Sequence, residues 1–254
     1  MLLLLVVGKL YLGLQRGWNT IIFCIFVGIL IEFFCIVFIK PKRIPYHFWF
    51  PSITSSVGVI LLVYSTEYWI YGLLSFLAIV SKNFIKKKSK HPIFNPINFA
   101  IVMFLAVMPK GLITLVPDRF SISQIAFWYL LIIGTITTYF VNRWMVVISY
   151  ILSFAIFTYF ITFFNIDFNY FEIIGPELSS AGLFFIFFML ADTASSAKKK
   201  IEQIFFGFLV ASICIILRAN YYYFNRFVAL LAAELIFHIY KNFNWKFLSI
   251  KSSN

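Results

Sequence analysis

Long apolar runs follow one another along almost the whole chain, with short polar connections between them. A bilayer core of about 30 Å is crossed by about 20 helical residues, and most of the runs approach that length. The pattern predicts an all-α polytopic membrane protein with about 8–10 transmembrane helices. The predicted segments are Leu2–Leu14, Thr20–Ile39, Phe48–Tyr64, Tyr68–Phe84, Asn98–Met108, Ile125–Val141, Trp144–Phe164, Leu178–Ala191, Ile204–Leu217 and Phe224–Tyr240.

The first and fifth predicted segments are short, which is typical of broken or re-entrant helices. The longest polar stretch holds about ten residues, and the connections include no flexible linker. We therefore expect a single transmembrane domain over residues 1–254. Met1–Leu5 lacks a basic leader and a cleavage site, so it is interpreted as part of a spanning helix.

Composition excludes a soluble globular protein. Hydrophobic residues make up 62% of the chain and charged residues only 12%, against about 25% charged residues in a soluble domain. The net charge of +12 comes from basic residues that mostly follow the ends of apolar runs. There they set membrane topology, so we expect contact with the lipid bilayer and no nucleic-acid binding.

The basic residues fall mostly on one side of the predicted topology. If every run spans, one side receives fifteen of the chain's 21 Lys and Arg residues. These are Lys40, Lys42, Arg43, Lys82, Lys86, Lys87, Lys88, Lys90, Arg143, Lys198, Lys199, Lys200, Lys241, Lys246 and Lys251. By the positive-inside rule this side is cytoplasmic. The pattern predicts a multi-pass protein of the inner (plasma) membrane with both termini in the cytoplasm.

Ser81–Val102 interrupts the hydrophobic pattern. A helix ends in lysines, and a new apolar run begins after Asn95-Pro96. Proline disfavours helix at the preceding residue and suits the first helical turn, and Asn95 is a good N-cap. A broken helix at membrane depth lines a cavity or is buried in protein, and its free N–H groups favour an anionic or carbonyl-bearing ligand. The alternative is an ordinary turn with a proline start.

Phe185–Arg218 carries the second interruption. A strongly apolar helix ends at Asp192-Thr193, and small residues and three lysines follow. The Asp192 carboxylate either binds a ligand, binds a cation or caps the next helix. Glu202 is expected in the first turn of that helix, where negative charge suits the helix dipole.

These two segments resemble the membrane subunits RnfD of the Rnf complex and NqrB of the Na⁺-translocating NADH:quinone oxidoreductase. The short RnfD-like proteins found beside enediyne biosynthesis genes are the most similar members. The resemblance covers about residues 48–237 and is carried by Pro51–Ser56, by Ser81-Lys82 with His91–Ala100, and by Phe187–Ala197 with Gly207 and Arg218. It implies a fold related to urea channels and a flavin-carrying subunit for electron transfer coupled to ion transport. The implied flavin-binding residues are His91, Phe94, Asn95, Asn98, Asp192 and Thr193.

Three departures from the family pattern change what the resemblance implies. Thr193 replaces the proline expected after Asp192, and Pro92 is inserted after His91. The segment nearest to the family's flavin-attachment site, Glu177–Gly182, lacks the threonine that carries FMN. Covalent FMN is therefore not expected, and a non-covalent flavin (FMN or riboflavin) is.

Charged residues inside predicted transmembrane helices cost free energy and often belong to functional sites. Glu32 and Glu234 are candidates for an ion or proton pathway. The alternative is structural pairing, for example of Lys9 with Glu32 and of Arg226 with Glu234. The three cysteines lie in apolar runs without metal-ligand spacing, so no metal site is expected.

Three hypotheses remain open from the sequence. The first is a membrane subunit of an ion-translocating redox complex, not catalytic alone and dependent on membrane-protein partners. The second is a small-solute channel or carrier of urea-channel-like fold without redox activity. The third is a structural membrane protein without a ligand.

Overall fold

A computed structural model describes residues 2–11, 14, 16–39, 47–87, 91–108, 112, 114–115, 124–164, 169–193, 195–220, 222 and 224–251, with the backbone alone at 3, 114–115, 172 and 242–251. The predicted connections at 40–46 and 88–90, most of the 109–123 stretch, and Asp167 lie outside the described residues.

The described chain is almost entirely helical. The helices are α1 Leu2–Leu10, α2 Trp18–Ile39, α3 Trp49–Leu62, α4 Tyr68–Phe84, α5 Pro96–Val107, α6 Gln124–Phe140, α7 Trp144–Phe164, α8 Tyr170–Ile174, α9 Ser180–Leu190, α10 Lys200–Ala219 and α11 Asn225–Lys251. A 3₁₀ turn over Gly175–Leu178 precedes α9, and α9 changes from α-helix to π-helix over Phe185–Leu190. Strands β1 Val63–Tyr64 and β2 Thr114–Leu115 form a short antiparallel pair.

The surface confirms an all-α membrane protein. Among the described residues, three helices are long and apolar enough to cross a bilayer, namely Trp18–Phe38, Trp144–Phe164 and Lys200–Ala219. The same part of the chain has four shorter apolar helices, namely Trp49–Leu62, Pro96–Val107, Gln124–Phe140 and Ser180–Leu190. Their outward side chains are largely aromatic and aliphatic, such as Phe26, Phe38 and Phe160. An apolar surface of this extent is stable in lipid and not in water.

The helices pack in two groups. In the first, α2 packs on α3 and α4, and α4 packs on α5; in the second, α10 packs on α7 and α11. Gly207 of α10 lies so close to α7 that a Cβ there would stand 2.6 Å from the Val146 carbonyl oxygen. Helix α11 also packs on α5 and so joins the two groups.

Several predicted boundaries agree with the helices to within a few residues, as at Trp144–Phe164. Others differ. Val63 and Tyr64, predicted to end a helix, form strand β1 instead. Helix α10 begins at Lys200, inside the lysine cluster, and α11 continues past Tyr240 to Lys251.

Both interruptions lie at the same end of the bundle. The Lys87 Nζ donates to the Ser195 carbonyl at 3.3 Å, and the Gln203 Nε2 donates to the Asn142 carbonyl at 3.0 Å. Lys241 forms an ion pair with Glu202 in the first turn of α10. We call this end, marked by Lys87, Arg143, Lys198–Lys200 and Lys241, the basic end. Its composition supports the predicted grouping of these residues on one side.

Candidate functional site

Asn95 ends the first interruption as the N-cap of α5. Its backbone is extended, and its Oδ1 accepts from the backbone N–H groups of Ile97 and Asn98, each at 3.1 Å. Pro96 occupies the first helical position, where its missing N–H leaves no unpaired donor. The predicted cap and proline start are both confirmed.

The remaining polar groups of Asn95 join α5 to two distant parts of the chain. Its backbone N–H donates to both carboxylate oxygens of Glu234 in α11, at 3.0 and 3.1 Å. Its Nδ2 lies 3.5 Å from the Met189 carbonyl and 3.5 Å from the Asp192 Oδ2. Asn95 and Glu234 are both buried. The structure therefore brings the two predicted interruptions and the last helix together at one residue, and we call this place the junction.

Asp192 does not cap the next helix. The N-cap of α10 is Lys199, which makes no capping bond with its side chain. The Asp192 Oδ2 instead accepts from the Ser195 hydroxyl at 3.3 Å and lies near the Asn95 amide. The capping interpretation of Asp192 was wrong, because α10 starts eight residues further along the chain.

The loop before Asn95 folds back on itself as a narrow ladder. Lys86 and Pro92 form an antiparallel bridge, and the Lys87 N–H donates to the His91 carbonyl at 2.7 Å. His91 is exposed, as is Thr193 in the second interruption. Phe94 is half-buried, and its ring stacks on Phe99 at 5.6 Å. Of the six predicted binding residues, Asn95, Asn98 and Asp192 are hydrogen-bonded within the junction or its capped helix. Phe94 contacts that helix through Phe99, and His91 and Thr193 are exposed.

Lys87 interacts electrostatically with two carboxylates of the junction, Glu234 and Asp192. Partial burial lowers the pKa of Lys87, while the nearby carboxylates of Glu234 and Asp192 partly offset that effect. Lys241 and Lys198 lower it further. A lysine in this setting gives up its proton more readily than an exposed one.

Asn98 is fully buried one turn into α5. Its Nδ2 donates to the Phe227 carbonyl of α11 at 3.0 Å, so it fastens the same two helices as Asn95. Its Oδ1 is buried and has no hydrogen-bond partner among the described residues. A buried acceptor of this kind costs free energy unless a donor reaches it.

Glu32 lies apart from the junction, between α2 and α4. Its Oε2 is 2.9 Å from the Lys82 Nζ and accepts from the Asn83 amide at 3.1 Å. Lys9 donates instead to the carbonyls of Leu14 and Arg16. The suggested Lys9–Glu32 pair is therefore wrong, because α4 and not α1 supplies the cation that faces Glu32.

A second buried ionic cluster, which sequence reasoning missed, lies at the opposite end of α10. Glu177 Oε1 accepts from Arg226 Nε at 2.7 Å and from Arg218 Nη2 at 3.1 Å. Glu177 Oε2 accepts from the Tyr150 hydroxyl at 3.1 Å. The Arg218 guanidinium also stacks over the Phe154 ring at 5.4 Å. We call this group the Glu177 cluster.

The Glu177 cluster corrects the suggested pairing of Arg226 with Glu234. Arg226 is the second residue of α11, and it turns towards the 3₁₀ segment that carries Glu177. The available signal was charge balance: two arginines flank the α10–α11 connection, and acidic residues precede α9. Their pairing is long-range, so spacing along α11 pointed to the wrong partner.

Comparison with known proteins identifies no family, so the functional assignment rests on the geometry described above. The sequence matches no protein-family model and shows no significant similarity to a curated protein.

Proposed function

We propose that this chain is a membrane subunit of an ion-translocating electron-transfer complex of the RnfD/NqrB kind, with a flavin held non-covalently at the junction. One observation carries the proposal. The two segments on which the resemblance rests lie 97 residues apart in sequence, yet Asn95 and Asp192 meet within 3.5 Å. Distant interrupted helices that converge are a common architecture for sites within membranes.

The chemistry of the junction fits the polar edge of a flavin ring. Amide and carboxylate groups of Asn95 and Asp192 can pair with ring N–H and carbonyl groups, and the unpaired Oδ1 of Asn98 offers a further acceptor. Half-buried Phe94 precedes Asn95 in sequence, and its ring stacks on Phe99. When bound, the flavin would supply the one- and two-electron chemistry, and these residues would bind and orient it.

Glu234 is the better supported of the two candidates for ion or proton movement. It is buried in α11 and contacts the N-cap of α5 directly, so a change in its charge or ligation acts on the junction itself. Glu32 has an ion-pair partner in Lys82 and lies elsewhere, which favours a structural role. The chain would need membrane-protein partners to deliver and remove electrons.

The basic end supports a cytoplasmic location for that face of the protein. On this proposal the chain lies in the inner (plasma) membrane with both termini in the cytoplasm. Cysteine accessibility on either side of sealed vesicles would test this topology.

The first experiment is to purify the chain in detergent with its natural neighbours present and to record visible absorption and fluorescence before and after denaturation. A flavin released by denaturation, and lost in Asn95→Leu, is the expected result. Asn220→Leu is the matched control, because Asn220 is exposed and bonds only within α10. Colourless wild-type protein would overturn the proposal.

The same variants address the channel alternative. Solute flux through proteoliposomes that contain the chain alone, lost in Asn95→Leu and kept in Asn220→Leu, would assign the junction to transport instead. Normal levels and normal activity of the complex in Asn95→Ala and Asp192→Ala would favour a structural protein.

A further inference from the structure

Three buried polar atoms without partners in the described part of the chain belong to segments that meet at the start of α10. Arg143 Nε, Ser196 Oγ and Gln203 Oε1 are buried and have no hydrogen-bond partner among the described residues. Their residues are 8%, 5% and 1% exposed. Buried polar atoms are nearly always paired, so several at one place indicate a missing partner.

Gln203 holds these residues at one place. Its Nε2 donates to the Asn142 carbonyl at 3.0 Å and to the Lys198 carbonyl at 3.1 Å. Asn142 precedes Arg143, and it has a positive φ of 58° that turns the chain from α6 into α7. Ser196 lies two residues before Lys198. The α6–α7 turn and the second interruption are therefore tied to each other at the start of α10.

Arg143 is a buried cation. Among the described residues its side chain makes one hydrogen bond, a long one of 3.4 Å from Nη1 to the neighbouring Asn142 carbonyl. In the described part of the chain no carboxylate lies within ion-pair distance of Arg143. Asp192 interacts with it electrostatically, and burial lowers its pKa. An arginine that is buried without a counter-charge is strongly unfavourable.

We propose that Arg143, Ser196 and Gln203 form a binding site for a protonated oxyanion, with inorganic phosphate as the ligand. The guanidinium and the hydroxyl donate to the anion's oxygens, and the Gln203 Oε1 accepts from its P–O–H group. The Gln203 amide cannot reverse this role, because both carbonyls that it binds require its NH₂ group.

The acceptor makes the site selective. Sulfate has the size and charge of hydrogen phosphate but carries no acidic hydroxyl at neutral pH, and the phosphodiester of a lipid headgroup has no P–O–H group either. A site with a buried acceptor rejects an analogue that cannot donate to it. Phosphate should therefore bind more tightly than sulfate or phosphatidylglycerol.

The test uses the full chain in detergent, depleted of phosphate and lipid, at constant ionic strength. Inorganic phosphate is titrated and the melting temperature is recorded, with sulfate and with phosphatidylglycerol as the comparison ligands. We expect phosphate to raise the melting temperature of the wild type. Arg143→Gln should weaken phosphate binding by more than about tenfold, because it removes a charged donor. The milder Ser196→Ala should weaken it by a few-fold.

Lys200→Gln is the matched control, since it removes one positive charge from the same end of the bundle at an exposed position. It should leave phosphate binding within about twofold of the wild type. Equal phosphate shifts in the wild type and Arg143→Gln would overturn the site. Equal responses to phosphate and sulfate would overturn the role of Gln203, and a response to phosphatidylglycerol alone would overturn the ligand class.

A second variant covers the case in which nothing occupies the site. Arg143→Met removes a buried unpaired charge and keeps an apolar side chain of similar length. If the site is empty in the native protein, this variant melts at a higher temperature than the wild type in phosphate buffer. If phosphate occupies the site, it melts at a lower temperature there, and the difference shrinks without phosphate.

Discussion

Glu177→Gln should destabilise the protein substantially, although it changes only one atom of the side chain. The Glu177 side chain is 6% exposed and neutralises Arg218 and Arg226, which are 16% and 14% exposed. Removing one partner of a buried ion pair leaves the other charge uncompensated, at a cost of about 3–5 kcal/mol. Here the two guanidinium groups would be left with no carboxylate partner among the described residues, so the upper part of this range is expected.

The measurement is the apparent free energy of unfolding in mixed micelles, from a denaturing-detergent titration. Glu202→Gln is the matched control, because Glu202 also pairs with a cation, Lys241, but that pair is 23% and 44% exposed. Its loss should cost less than about 1 kcal/mol. Similar losses in both variants, or a loss below about 1 kcal/mol for Glu177→Gln, would refute the argument from burial.

A double-variant cycle tests whether the cost comes from the pair itself. The combined Glu177→Gln and Arg226→Gln variant should lose less stability than the sum of the single variants, by about 1–3 kcal/mol. Additive losses would mean that each residue acts through separate contacts.

Three further predictions concern the junction and the helix packing. Asn95→Asp keeps the capping oxygen but replaces the amide donor next to Asp192 with a second carboxylate. Its melting temperature should therefore be lower than that of the wild type at neutral pH and should recover on mild acidification. Gly207→Ala should lower the free energy of unfolding by about 1–3 kcal/mol, since its Cβ would meet backbone atoms of α7. Gly175→Ala is the control, because a Cβ there would meet no atom within 4 Å, and it should change the free energy of unfolding little. Lys87 has a folded-state pKa below its ordinary value of 10.5. At a pH between the folded-state pKa and 10.5, the folded protein therefore binds fewer protons than the unfolded chain. Wild-type stability relative to Lys87→Met should therefore rise with pH in that window, and a fall would contradict the burial of Lys87.

Local sequence patterns were sufficient to predict the fold class and the part of the junction formed by Asn95 and Pro96. Asn95 and Pro96 act on their own backbone and the next turn, so their roles as cap and first helical residue were predictable. Hydrophobic run length predicted α7 to the residue. The π-helical part of α9 was not predictable, because it shows the same apolar composition as an α-helix.

Partner choice was the main failure, and its cause is physical. Lys9 and Glu32 belong to neighbouring predicted helices, and Arg226 and Glu234 to one helix, so proximity in sequence suggested both pairs. In the bundle, a buried carboxylate pairs with whichever cation the helix packing brings to it. Glu32 meets Lys82 from α4, and Arg226 meets Glu177 across 49 residues. The direct contact of Asn95 with Asp192 spans 97 residues, which no periodicity in a single sequence encodes.

The bond from the Asn95 amide to Glu234 also constrains the order of biogenesis. The two residues lie 139 positions apart, and synthesis at about 5–20 residues per second takes roughly 7–28 s to cover that distance. During this interval the first interruption is already made while its acceptor has not yet left the ribosome. The nascent chain must hold that amide in water, at the membrane surface or against the insertion machinery. Completion of α11 then supplies Glu234 as the acceptor for the Asn95 amide. A chain truncated before α11 would present an unsatisfied donor for quality control to recognise.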